Sequence, residues 1–106
     1  MTLREHLLAK LAEESAEVGM AACKSAIFGN EDRNPNLPPD SLTNSERLAD
    51  ELNDLFAVAD MAAEAGIIPI NWFSNAKQKA KRGKLKFYAA YARGKGTLTG
   101  PGEIEP

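Results

Sequence analysis

The segment Glu13-Glu14-Ser15-Ala16-Glu17 constrains the fold most, because it sets three carboxylates inside an apolar helical repeat. At about 100° per residue, Leu3, Leu7, Leu11, Glu14, Val18, Ala21 and Ser25 fall on one stripe. Glu14 therefore stands in the middle of the face a helix would bury. Glu17 lies one turn on, at the edge of that face, and Glu13 flanks Glu17. A lone buried carboxylate is too costly to keep ionised. A proton, a basic side chain or a metal must compensate it. Lys10, four residues before Glu14, is positioned for an ordinary surface pair on a helix.

Glu51-Leu52-Asn53-Asp54 repeats the i, i+3 spacing of acids on a second helix. Its main apolar stripe is Leu48, Leu52, Leu55, Ala59 and Ala62. Glu51 and Asp54 begin an adjacent stripe that continues through Val58, Met61 and Ala65. Two helices that each set two carboxylates on a packing seam can bring four together. That is an oxygen-only cage suited to a hard divalent cation.

At 106 residues the chain is expected to form one domain with a modest core. Its net charge of −2 hides an asymmetry. Residues 1–66 carry 13 acids against 5 bases, and residues 67–106 carry 2 acids against 8 bases. One half reads as a cation site and the other as an anion site. A polyanion bridged by a metal satisfies both. Cys23 is the single cysteine, which excludes an intramolecular disulfide and points to a reducing compartment. No basic-then-apolar leader is visible, and no apolar run approaches the ~20 residues of a membrane span. The expectation is a soluble, cytoplasmic protein.

Capping signals divide the chain into three helices. Thr2 with Glu5 forms a capping box, and the helix it opens should run to about Phe28 and stop at Gly29. Residues 29–44 hold Pro35, Pro38 and Pro39 among Asn and Asp residues, the chemistry of a loop. The loop is long for a compact domain; it reads as a crossover, a lid over a site or a surface insertion. Thr43 with Glu46 opens the second helix, which should end near Ala65 and Gly66. Arg47, one turn before Glu51, either pairs with Glu51 at the surface or faces a phosphate. Asn71 is the expected cap of a third helix through Trp72, Phe73, Ala76, Ala80, Phe87 and Tyr91. Gly83 should weaken it by up to ~1 kcal/mol. Lys77, Lys81 and Lys84 line one edge of its aromatic face, and Lys79, Arg82 and Lys86 the other. One basic stripe is read as solvated. A pair at i, i+4 beside the apolar face, such as Lys77 and Lys81, is placed to reach a phosphate. The expected domain is 1–93, followed by a glycine-rich flexible tail, 94–106.

Other chemistries lack residues. One His and one Cys exclude the usual zinc site. Glu17 and Asp54 stand where a carboxylate di-iron bundle needs His. There is no Walker A loop and no G-x-G-x-x-G. His6 is read as structural or surface.

The order E-E-x-x-E then E-x-x-D resembles the MazG-like, all-α nucleoside triphosphate pyrophosphatases. Asn75-x-Lys77-x-x-x-Lys81 is similar to that family's N-x-K-x-x-x-R. The run from Leu85 to Arg93, followed by Gly-Thr-Leu shortly after, resembles the end of short phage-type members. The likeness covers residues 3–98 or so. Three departures stand out. Thirty-three residues separate Glu17 from Glu51, longer than usual. Lys81 replaces Arg and lacks its bidentate fork. Leu55-Phe56-Ala57 follows the second acid motif, where the phosphoribosyl-ATP branch carries Tyr-His.

The resemblance implies an all-α bundle of about three main helices completed by a homodimer or homotetramer. It implies hydrolysis of a (deoxy)nucleoside triphosphate to the monophosphate and pyrophosphate with Mg2+, or Mn2+ as substitute. Glu14, Glu17, Glu51 and Asp54 match the metal ligands, and Glu13 the acid that activates water. Asn75, Lys77, Lys81 and Lys84, with Arg47, are the expected phosphate and substrate contacts. The alternative is a helical regulatory or nucleic-acid-binding module, supported by the basic third helix with Phe87, Tyr88 and Tyr91. It leaves Glu14 unexplained, and the net charge disfavours nucleic acid.

Overall fold

The computed structural model describes residues 1–100, and among these the fold is all-α with three helices. Helix α1 spans Leu3–Phe28, α2 Asn44–Glu64 and α3 Asn75–Lys95. The chain groups into two compact units, Met1–Ile70 and a second opening at Asn71. Each is described by itself.

Local hydrogen bonds set the helix ends. Thr2 Oγ1 accepts the Glu5 N–H at 3.1 Å, satisfying one of the orphan donors of the first turn. Gly29, at φ 97°, closes α1 by donating its N–H to the Ser25 carbonyl. The box that opens α2 is reciprocal. Thr43 Oγ1 accepts the Glu46 N–H at 3.2 Å, and Glu46 Oε1 accepts the Thr43 N–H at 2.9 Å. Helix α2 stops at Gly66, φ 76°. There Gly66 donates to Ala63 and Ile67 to Ala62, the paired bonds of a Schellman ending.

Helices α1 and α2 form an antiparallel hairpin. Glu14 meets Asp54, and Lys24 shares a cavity wall with Asn44. The α1 stripe is as expected along most of its length. Leu7 is buried, and Leu11, Glu14, Val18, Ala21 and Ser25 are half-buried, while Leu3 is exposed. On α2 the inward face keeps the expected main stripe except for Leu52, and takes in Glu51 and Val58 from the adjacent one. It runs through Asn44, Arg47, Leu48, Glu51, Leu55, Val58, Ala59 and Ala62. Leu52, Asp54, Met61 and Ala65 are exposed. The helix is turned so that Glu51 faces the seam and Leu52 its margin. Ala59, Ala62 and Ala63 are the buried positions of α2 opposite the Leu7 end, and their small side chains let α1 approach.

The connector from Gly29 to Thr43 closes on itself. Asn44 N–H donates to the Asp32 carbonyl at 2.8 Å, and Ser45 N–H to that of Asn30 at 3.0 Å. Asn44 Nδ2 donates to the Gly29 carbonyl at 2.9 Å, and Arg33 Nε to that of Ser41 at 2.8 Å. The first N–H groups of α2 thus find acceptors in the loop they leave.

In the second unit the cap is Ser74, not Asn71. Ser74 Oγ accepts the Lys77 N–H at 3.1 Å. Trp72 and Phe73 therefore precede the helix, their rings edge to face at 5.7 Å. Both Asn and Ser make good caps, and here the helix opens at the second of them. Helix α3 continues unbroken through Gly83 and past residue 93 to Lys95. Gly96, at φ 81°, follows it, and Arg93 Nη1 donates to the Gly100 carbonyl at 2.8 Å. The remainder of the expected tail, 101–106, lies outside the described residues. No helix among the described residues is long and apolar enough to cross a membrane.

Candidate metal and phosphate site

Three of the expected carboxylates meet across the α1–α2 seam. Glu14, Glu51 and Asp54 each offer a carboxylate oxygen, and these atoms lie within 4.8 Å of one another. Glu14 and Glu51 are half-buried and Asp54 is exposed. Their meeting follows from periodicity on each helix and from the antiparallel register of the pair. Among the described residues no hydrogen bond or ion pair neutralises any of the three.

The consequence falls on Glu51. Burial, and then the negative charges of Glu17, Asp54, Glu14 and Asp50, hold its carboxyl above the usual range. Glu17 is exposed and outside the three-oxygen cluster, yet close enough to Glu51 to repel it. Glu13 is held apart. Lys10 Nζ lies 3.2 Å from Glu13 Oε2 and 3.4 Å from Oε1. Lys10 therefore pairs three residues on, with Glu13, rather than four residues on, with Glu14. Glu14 is left without its nearest basic neighbour.

Beside the acids is a cavity of about 200 Å³. Glu17 and Glu51 form its acidic wall, and Lys24 and Arg47 its basic one. Arg47 does not pair with Glu51. It is half-buried, and its Nε is buried with no hydrogen-bond partner. A second cavity, of about 330 Å³, lies beside the first. It shares Lys24, Asn44 and Arg47 and adds Phe28 with connector residues Asp32, Arg33, Asn34 and Pro35. The connector is thus a wall of this cavity.

Lys24 and Phe28 escaped sequence reasoning. The available signal was spacing: Lys24 stands two turns after Glu17 on α1, as Arg47 stands one turn before Glu51 on α2.

Asn75, Lys77, Lys81 and Lys84 are exposed on α3, in the second unit. The structure groups Asn75 with the other basic stripe. A groove along α3 is lined by Asn75, Gln78, Lys79, Arg82, Gly83 and Lys86. At about 100° per residue, Lys77, Lys81 and Lys84 fall on the opposite side of that helix. Phe87, Tyr88 and Tyr91 are exposed, with Lys95 Nζ 5.6 Å from the centre of the Tyr91 ring.

No family model, curated protein or solved structure matches this chain. The site is defined by its own geometry: three uncompensated carboxylates, a basic pair beside them, and a loop-walled cavity beyond.

Proposed function

We propose that this protein hydrolyses a (deoxy)nucleoside triphosphate to the monophosphate and pyrophosphate in the presence of Mg2+. The observation that carries the reading is the set of carboxylate oxygens of Glu14, Glu51 and Asp54, all within 4.8 Å. An all-oxygen donor set without competing partners fits a hard divalent cation. Glu14, Glu51 and Asp54 would hold the ion, with Glu17 as the fourth carboxylate beside Glu51. A Mg2+ ion held there would offset phosphate charge and polarise the phosphorus under attack; Mn2+ is the expected substitute.

The remaining work belongs to the side chains. Arg47 and Lys24 offer donors to phosphate oxygens, and the unpartnered Arg47 Nε is a donor that a phosphate oxygen would satisfy. Glu13, outside the cluster, would accept the proton of the attacking water. The water oxygen joins the α- or the β-phosphorus as that atom's bond to the α–β bridging oxygen breaks, which gives the monophosphate and pyrophosphate. The resemblance assigns Lys77, Lys81 and Lys84 to phosphate contact; Asn75, which it names with them, lies on the opposite side of α3. The same reading takes the protein as a cytoplasmic homodimer or homotetramer.

The test is a panel of the eight common NTPs and dNTPs, with Mg2+ or Mn2+, scored for pyrophosphate. Release from at least one substrate is expected, lost in chelator and in Glu14→Gln. No release from any of the eight overturns the proposal.

A second reading has one observation in its favour. The α3 groove puts Lys79, Arg82 and Lys86 together on a helix with exposed aromatic rings, features of a nucleic-acid-binding module. It expects a salt-dependent shift of labelled oligonucleotide without metal, weakened by Arg82→Ala. The pyrophosphatase reading expects no such shift. It expects weaker triphosphate binding from Lys77→Ala and Lys81→Ala instead.

A further inference from the structure

We propose that the cavity walled by the connector 29–43 is a nucleoside subsite, receiving the base and sugar of a nucleotide whose phosphates reach the carboxylates. This rests on the pyrophosphatase reading of those carboxylates.

The 330 Å³ cavity and the 200 Å³ cavity share Lys24, Asn44 and Arg47 as a common wall. Moving along the hairpin from the acids, the lining changes in a fixed order. Glu17 and Glu51 come first, then the cations Lys24 and Arg47, then Phe28 and Pro35. A nucleotide bound through a metal has the same order: metal-bound phosphates, further phosphate charge, then a flat apolar ring. The α1 axis rises about 16 Å between Glu17 and Phe28 at ~1.5 Å per residue, a span suited to an extended nucleotide. Arg47 lies at the junction, and its buried Nε lacks a partner. A phosphate passing between the cavities would supply one.

The far end is built to take a ring. Phe28, the last residue of α1, is 63% exposed on the cavity wall. An exposed aromatic face stacks any nucleobase. Two polar groups beside it are uncommitted. Asn34 Oδ1 accepts the Asn36 N–H, which leaves its Nδ2 as a donor. The Asp32 carbonyl is taken by Asn44 N–H, while its carboxylate has no hydrogen-bond partner among the described residues. One donor and one acceptor next to a stacking face are the elements that read a base edge. The walls are held in place before any ligand arrives, by Arg33 on Ser41 and by Asn44 on Gly29. A preformed pocket of this size loses little entropy on closing round a ligand.

The test uses calorimetry on the full chain with Mg2+ and two probes: the non-hydrolysable α,β-methylene analogues of the common nucleotides, and inorganic tripolyphosphate. Wild type should bind at least one nucleotide analogue more tightly than tripolyphosphate. Phe28→Ala should weaken that analogue about tenfold or more and leave tripolyphosphate affinity where it was. Phe28→Trp, which keeps a stacking face, should retain the analogue. Three results overturn the subsite while the carboxylate centre stands: equal affinity of wild type for both probes, unchanged analogue binding in Phe28→Ala, or parallel loss of both probes in that variant. Wild type that binds neither probe overturns the reading of the carboxylate centre, and the subsite with it.

Discussion

At the residue scale the cost of the site falls on Glu51, whose carboxyl is raised by burial and by the acids around it. Its ionised form is held against repulsion that a neutral isostere lacks. Glu51→Gln should therefore melt higher than wild type in chelator at neutral pH. Wild type should gain ~2.7 kcal/mol when Mg2+ is supplied at a hundred times its dissociation constant, and the variant should gain little. A variant that melts lower in chelator and keeps its Mg2+ response would place the cation elsewhere. Glu13 makes a different prediction, because it pairs with Lys10 and is not one of the three clustered carboxylates. Glu13→Gln should lower turnover by ~10²–10⁴, the range for a general base, with Mg2+-dependent nucleotide binding intact. Calorimetry that finds metal binding lost would move Glu13 among the ligands.

At the scale of the element, the α2 capping box carries more than a helix end. Thr43 and Asn44 are the buried polar residues of the described chain, and Asn44 also ties α2 to Gly29 and Asp32. Thr43→Ala should cost about 1 kcal/mol, which lowers the melting temperature of a domain this size by ~4–8 °C. Glu46 adds a pH dependence. Its carboxyl is held below the usual range by the backbone N–H and then the hydroxyl of Thr43, with a further contribution from Arg33. The folded value is depressed, so the stabilisation is present above the unfolded value of 4.5 and lost as pH falls through the folded one. Wild type should be more stable than Glu46→Gln at neutral pH, and the gap should close in acid. Urea melts of the two proteins between neutral pH and pH ~3 read this directly; a constant gap would rule it out.

On the scale of the whole molecule, the proposed assembly rests on exposed apolar side chains on α1 and α2. Leu52 is 40% exposed and Met61 52% exposed on α2, and Met20 is 55% exposed on α1. Only Leu7 and three alanines are buried apolar residues among those described. A homodimer or dimer of dimers that covers the outer α2 face is the expected solution state. Leu52→Asp with Met61→Asp should shift light scattering toward the monomer and lower activity with it. Wild type that scatters as a monomer at micromolar concentration, with full pyrophosphate release, would reject the assembly.

What the sequence determined by itself was local. Thr2, Thr43, Gly29 and Gly66 mark helix ends because each acts through hydrogen bonds or a positive φ within one turn. The inward stripe of α1, Glu14 included, follows from the 3.6-residue repeat alone. Local reading missed where a neighbouring solution was equally open: Ser74 rather than Asn71 caps α3, and Lys10 pairs with Glu13 rather than Glu14. Tertiary structure decided the rest. The rotation of α2 that turns Glu51 inward and Leu52 outward depends on how closely α1 approaches over Ala59, Ala62 and Ala63, which no spacing within α2 specifies. The joining of Lys24, Phe28 and Arg47 to Asp32 and Asn34 depends on the folding back of the connector onto the start of α2. Those contacts link residues from two helices and a loop, and only the antiparallel register of the hairpin brings them to one wall.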